Sequence, residues 1–479
     1  MRFSRKLTLA SIAAIAGGGC NPNDFNTILD RAPVVAVGTG GSSTGATLGL
    51  PLRPPEGAGT TVAARMLLAR IDTSYVALAD YDGNGKVTVR QVSSGDLDAL
   101  GGAPVVSAAA RSDGTILLGA PSLGGGSPPG GGIAMLSYFP QADGSVTFQL
   151  QRGIQGGSSP GTQGDSHMGI AVAVGKIASS DAEDLVVVGD STVRLVSGAA
   201  PTVSIASSDA VSCPNLAMAR PTEPYAFRAV AVGDVLQGYL NSEIVLGGQL
   251  NGTGPGMVVF VVYDGTAILK CPKPPLTLGA VASIGTSLAI EDFNGDGFVD
   301  LAVGAPQDLV YVYFGPLDNM TSLTSPSVTI RGPLPTGFGK RVAAFRPPGQ
   351  SAMPVPARLL VSDPGATVGQ RAGAGKAYLF NLANAVDGTL RTDMALAGGR
   401  LLPSDPYAFF DSNPDEAGGA FGLSLGGLLF NKGVCAGGPF DPVLVPWATS
   451  GANLLTFFAY PVNENLIPRQ QDPRCFAPK

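Results

Sequence analysis

Apolar residues in this chain come in short runs, and nearly every run is closed by glycine, proline, asparagine or aspartate. Runs of this kind between turn-forming residues predict strands, and no long amphipathic helical pattern is present. The runs also come in a fixed order: an inner run, a polar loop, a second run ending in glycine or proline, then two more. Residues 105–110 and 115–120 (TILLGA) form one such pair, followed by 133–139 and 145–150. Residues 169–174 precede 184–189 (DLVVVG), and 228–232 precede 243–247 (EIVLG) with 257–263 behind them. Residues 288–290 precede 300–304, residues 340–345 precede 358–362 (RLLVS) with 376–380 (KAYLF) behind, and 421–425 precede 443–448 and 453–460.

The second runs close at Gly119, Gly189, Gly247, Gly304, Ser362 and Pro446, at spacings of 70, 58, 57, 58 and 84 residues. The central values are nearly constant, and the long ones hold the inserts 153–164 and 401–418. A fixed period of four short strands is the signature of a β-propeller. Blades pack face to face, so their inner strands should be apolar on both faces, as in LVVVG and LAVGA. A stacked β-sandwich could use similar runs, but the regular period counts against it. Residues 80–85 (DYDGNG) resemble a metal loop, yet a second strand ending near Val92 would leave no room for four strands before Gly119. They are read instead as a hairpin turn between 75–79 and 86–92, with 64–69 as the second strand of that blade. This gives an all-β fold, a seven-bladed β-propeller of four-stranded antiparallel blades, whose first inner strand is ill-defined.

The sharpest local pattern lies between the runs 288–290 and 301–303. Asp292, Asn294 and Asp296 alternate, Gly297 sits at the sixth position and Asp300 at the ninth: D-x-N-x-D-G-x-x-D. Alternating carboxylates on a tight turn can converge on a hard cation such as calcium, and glycine permits the bend. An EF-hand needs glutamate at the twelfth position, which here is Val303, so that reading is rejected. With residues 310–315 (VYVYFG) behind it, the stretch resembles an FG-GAP repeat, the blade unit of the integrin alpha-subunit N-terminal β-propeller. That resemblance implies Ca2+ held by the side chains of Asp292, Asn294, Asp296 and Asp300 and by the carbonyl of Phe298. Other loops depart from it. Lys176 stands where the pattern has Asp292, and the loop between Asp234 and Glu243 is one residue longer, with Leu236 and Gly238 breaking the alternation. Neither is expected to bind.

Charge and cysteine content narrow the setting. Thirty Lys and Arg against 36 Asp and Glu leave a net charge of −6 without a basic stripe, which argues against nucleic acid. Residues 1–20 read as a targeting segment: Arg2, Arg5 and Lys6, an apolar core at 7–16, then Gly17-Gly18-Gly19-Cys20. This is similar to a bacterial lipoprotein signal with Cys20 lipidated, although Gly17 stands where leucine is usual; plain cleavage and secretion is the alternative. Asn21 rather than aspartate after the cysteine points to the outer membrane. Residues 21–59, rich in Gly, Ser and Pro, are read as a tether with a strand at 34–37, and residues 60–479 as the propeller. Removing Cys20 leaves Cys213, Cys271, Cys435 and Cys475, an even set suited to an oxidising compartment. Three pairings are open, of which we favour Cys213–Cys271 and Cys435–Cys475.

Candidate chemistry is sparse. His167 is the one histidine and is read as structural. The triplets Gly164-Asp165-Ser166 and Gly189-Asp190-Ser191 have no later histidine to serve a GDSL-type esterase. There is no phosphate loop, and the lone tryptophan, Trp447, rules out repeated sialidase boxes. The expectation is a non-enzymatic, monomeric, lipid-anchored scaffold for a protein or glycan partner. A calcium-assisted polysaccharide-active enzyme and a subunit of an outer-membrane assembly are the alternatives.

Overall fold

The structure is a computed structural model. It describes residues 34–37, 47–52, 64–70, 76–81, 87–92, 97, 100–124, 129–140, 146–155, 167–179, 181–190, 193–196, 225–250, 255–263, 269–273, 275–282, 284–305, 308–321, 323–332, 336–345, 356–367, 370, 372–373, 375–380, 382, 400–401, 408–411, 426–427, 440–449 and 452–461. These form β-strands in seven sheets, antiparallel but for one parallel pair.

The chain opens with β1 (Val34–Val37). Sheet one follows: β2 (Thr47–Leu52), β3 (Ala64–Arg70), β4 (Val76–Tyr81) and β5 (Val87–Gln91), paired in that order. Sheet two is β6 (Ser107–Ala110), β7 (Thr115–Ala120), β8 (Gly132–Pro140) and β9 (Val146–Gln155). Sheet three has β10 (Ala171–Gly175), β11 (Asp184–Val188) and β12 (Val193–Val196) among the described residues. Sheet four has β13 (Tyr225–Gly233), β14 (Glu243–Leu250) and β15 (Pro255–Tyr263), with β16 (Leu269–Lys270) and β17 (Leu276–Ala282) both on β15. Sheet five is β18 (Ser287–Glu291), β19 (Asp300–Ala305), β20 (Leu309–Tyr313) and β21 (Val328–Arg331). Sheet six is β22 (Val342–Phe345), β23 (Arg358–Asp363), β24 (Lys376–Phe380) and, beyond the short β25 (Arg400–Leu401), β26 (Ala408–Asp411); β25 itself runs parallel to β21. Sheet seven joins β27 (Gly426–Gly427), β28 (Phe440–Thr449) and β29 (Ala452–Pro461) to β1, so the first and last described strands meet in it.

Two of these elements differ from the sequence reading. β2 lies in the stretch expected as a tether and is the inner strand of sheet one, pairing along its length with β3. Its run, TLGLPL, is broken by glycine and proline, so it lacks the apolar continuity of the other inner strands. β1 is the outer strand of sheet seven, a partnership that no local pattern announces. The first strand of sheet seven is Gly426–Gly427, and residues 421–425, expected to be that strand, lie outside the described residues.

Period-two alternation explains how the sheets stack. Along β7, Ile116 and Leu118 pack with sheet one, while Leu117 packs with sheet three. The same division continues: one core lies between sheets three and four, another between four and five, another between five and six. The second strands β7, β11, β19 and β23 are buried at every residue. That accounts for continuous apolar runs in place of alternation. The first strands stand side by side in chain order, β2 by β6, then β10, β13, β18 and β22, and β27 touches both β22 and β2.

The recurring glycines have a packing cause. A Cβ on Gly304 would sit 2.3 Å from the carbonyl oxygen of Gly339 in the next sheet, and one on Gly247 would sit 2.0 Å from that of Gly285. Backbone meets backbone there, so no side chain can be accommodated. Gly285 and Gly339 themselves turn at φ +82° and +81°. Ser287 adds a bond across sheets, its Oγ accepting from the Val342 amide at 2.9 Å.

Candidate functional site

The loop joining β18 to β19 contains four of the five residues expected to hold calcium, and the fifth, Asp300, heads β19. Gly295 and Gly297 take left-handed conformations, φ +84° and +89°, which an L side chain resists. Asp292 sits inside the resulting turn. Its Oδ1 accepts from the Gly295 amide at 2.6 Å and its Oδ2 from Gly297 at 3.1 Å. Asn294 Oδ1 accepts from the Asp296 amide at 2.9 Å, and its Nδ2 donates to Asp296 Oδ2 at 2.8 Å. Asp296 Oδ1 accepts from the Phe298 amide at 2.8 Å. Asp292 and Asn294 are buried, whereas Asp296 and Phe298 are exposed. The Asp292 carbonyl accepts from Ala357 at 2.8 Å and so ties the loop to sheet six.

Asp300 is fully buried at the head of β19. Its Oδ2 accepts from the amides of Phe293 at 2.8 Å and Asn294 at 3.2 Å, and its Oδ1 from Gly315 at 2.9 Å. Burial pushes its carboxyl up to about 7, against the pull of those three amides. The donor set is all oxygen, which suits a hard cation. As placed, its carboxylates face main-chain amides. Among the described residues, no three acidic, histidine or cysteine side chains gather as a metal-holding group.

The grip of Asp300 on its loop has counterparts. Asp184, heading β11, accepts through one oxygen from Ile177 at 3.1 Å and Ala178 at 2.6 Å. Glu243, heading β14, accepts through Oε2 from Val235 at 2.8 Å and Leu236 at 3.0 Å. In three consecutive sheets, then, the acid at the start of the second strand clamps two successive amides of the preceding loop. The repeated acid was visible in DLVVVG, EIVLG and DLAVG; its backbone role was not. Lys176, at the place matching Asp292, is exposed.

Other charged groups organise themselves around single carboxylates. Asp80, at the start of the DYDGNG stretch, is buried in β4 and pairs with the guanidinium groups of Arg65 and Arg90. Tyr81 faces Val87 across the hairpin that follows, and residues 82–85 lie outside the described residues. His167, at φ +54°, places Nδ1 2.5 Å from Asp190 Oδ2, and Arg228 donates to Asp190 Oδ1 at 2.8 Å. Burial raises the Asp190 carboxyl, but its bonds and charge contacts with Arg228 and His167 outweigh this and hold it below the usual carboxylate value. The first GDS triplet and Ser191 lie outside the described residues, as do residues 1–20, Cys20, Cys213, Cys435 and Cys475. Cys271 is disulfide-bonded. Among the described residues no helix is long and apolar enough to cross a membrane.

The FG-GAP repeat family matches residues 284–314, the span from Ile284 through β18, the acidic loop, β19 and β20. Two solved structures are similar. One, described as the crystal structure of BBS1N in complex with ARL6DN, soaked with mercury, has a TM-score of 0.44 and 12% identity over 92% of this chain and 99% of that one. The other, the same complex soaked with lead, has a TM-score of 0.43 and 14% identity over 89% and 98%. No curated protein matches the chain at a significant level.

Proposed function

We propose that the seven sheets are blades of one closed β-propeller, and that this propeller is a non-catalytic display scaffold for a protein or glycan partner. Closure is supported by the succession of first strands from β2 round to β27 and back to β2. It is supported too by the sheet in which β1 and β29 pair, since the first and last described strands then share one sheet and neither leaves that edge free.

One observation carries the display reading. Leu240 stands 99% exposed at the tip of the loop between β13 and β14, beside Tyr239 at 42%. Phe298, 41% exposed, projects from the loop of the next sheet. The two loops share one end of the molecule, because Gly233, at the close of β13, packs against Ile290 and Val299. Apolar side chains on loops that a stacked-sheet scaffold holds in place suit recognition of another surface. In this reading Asp292, Asn294, Asp296, Asp300 and the Phe298 carbonyl hold one calcium ion, which neutralises their charge when bound. The chain itself supplies the turn, through Gly295 and Gly297, and its fixed base, through Asp300. A lipidated Cys20 would hold the scaffold at a bacterial envelope membrane, as the basic start and apolar core of residues 1–20 suggest.

The test is crosslinked capture from envelopes with the intact chain and its Leu240→Asp variant. The reading expects a partner captured by the parent and lost from the variant. Equal capture by both would contradict it. Fatty-acid labelling that survives Cys20→Ser would remove the anchor.

A further inference from the structure

At one end of sheets four and five the outward loops form a continuous surface, and the turn after β20 bridges them. The Gln237 amide donates to Asp318 Oδ2 at 3.0 Å and the Leu317 amide to the Val235 carbonyl at 3.4 Å, which fixes that turn against the loop of Tyr239 and Leu240. On its other side the Gly315 amide donates to Asp300 Oδ1 at 2.9 Å, and a Cβ on Gly315 would sit 2.9 Å from the Phe298 Cβ. The exposed Tyr239, Leu240, Pro316 and Phe298 therefore belong to one patch. Large apolar side chains gathered on a supported surface mark a contact face. The charge around them has a prevailing sign. Asp234 and Asp296 are exposed and Asp318 is half-buried. Lys273, on the same side, is turned inward: its Nζ donates to the carbonyls of Leu317 at 2.7 Å and Asp318 at 3.0 Å and lies 5.2 Å from the Phe260 ring centroid. In the adjoining loop of sheet three, where the Lys176 carbonyl accepts from the Ser242 amide at 2.9 Å, Asp181 and Glu183 outnumber the exposed Lys176.

We infer that this patch is a docking face for a basic, apolar peptide segment of a partner protein, one in which lysine or arginine flanks an aliphatic or aromatic residue. The apolar tips call for apolar contact at the centre, and the acids around them favour cations at the rim. An anionic membrane, a nucleic acid or an acidic glycan would meet like charge here. Asp234 and Asp318 lie outside the β18 loop, so the sign of the field does not depend on calcium in that loop. This deepens the display reading, on which it rests, by naming the partner's chemistry.

The test is selection of displayed random nonapeptides on the full chain, with Leu240→Asp, Asp234→Lys and Phe139→Asp selected in parallel. Phe139, 48% exposed on sheet two, is an apolar control away from the patch. Peptides recovered by the parent should be enriched in lysine and arginine beside apolar residues. Synthesised singly, they should bind about tenfold more weakly to Leu240→Asp and to Asp234→Lys, and as tightly to Phe139→Asp as to the parent. Their affinity should fall as salt rises. Leu240-dependent peptides with no excess of lysine and arginine, or binding unmoved by salt and by Asp234→Lys, would overturn the basic partner and leave the display reading intact. No recovery, recovery equal in the parent and Leu240→Asp, or recovery that Phe139→Asp also loses would overturn the docking face itself.

Discussion

The loops after β13 and β18 begin and end alike and differ in between. Each closes on a buried acid, Glu243 or Asp300, that clamps two successive amides near the loop's start. Between those points the β18 loop carries Asp292, Asn294 and Asp296, each bonded to a nearby amide. The β13 loop carries the buried Leu236, then Gly238, and turns Tyr239 and Leu240 outward. Asp184 makes the same clamp in a third loop, where Lys176 stands in place of Asp292. The acid at the strand head is therefore part of how the sheet is built, with or without a cation. What sets the β18 loop apart as the proposed calcium site is the alternation before that acid.

The largest expected effect comes from removing the clamp. Asp300→Ala strands the amides of Phe293, Asn294 and Gly315 and should cost about 3–5 kcal/mol in denaturant unfolding. Asp184→Ala strands two amides and should cost about 2–3 kcal/mol. Glu243→Ala also strands two, but it removes an oxygen that has no partner, so its cost should be smaller, about 1–2 kcal/mol. If Asp300→Ala is harmless without calcium yet abolishes a calcium response, Asp300 is a ligand first and the likeness between the loops fails.

Glycine substitutions sharpen the comparison further. Gly297→Ala and Gly238→Ala meet no atom within 4 Å, but both impose a side chain at positive φ. Each should cost about 1 kcal/mol, read as a lowered unfolding midpoint. Gly247→Ala, set against the Gly285 carbonyl, should cost more than either.

The pH response is subtler. The folded Glu243 carboxyl lies at about 7 against an ordinary 4.5, so between those values the folded protein holds more protons than the unfolded chain. Its contribution to stability is complete below about 4.5 and is lost as pH rises through about 7. Asp363, raised by burial to about 6 at the end of β23, acts in the same direction. The difference between the parent and Glu243→Gln in thermal unfolding across this window isolates Glu243. A difference that does not change with pH would contradict its raised value.

Much of the sheet order was legible along the chain, because a close backbone approach forces glycine wherever it recurs. Gly119, Gly247 and Gly304 mark the period for that reason, and the fully buried second strands had to be continuously apolar. The ends were harder to read. β2 is a broken run in a Gly-rich stretch, and β1 finds its partner at the far end of the chain, where no local pattern reaches. The oxygen-rich loop was visible as a possible site, but its internal bonding was not. Asp80 illustrates the same limit: Arg65 is its cross-strand neighbour in register, a relation that exists only once β3 and β4 pair.

Calcium titration calorimetry on chelator-stripped protein tests the contrast between the two loops most directly. One ion per chain is predicted, lost in Asp292→Ala and in Asp296→Ala and retained in Glu243→Gln. No binding, or a single ion that survives both aspartate substitutions, would contradict it.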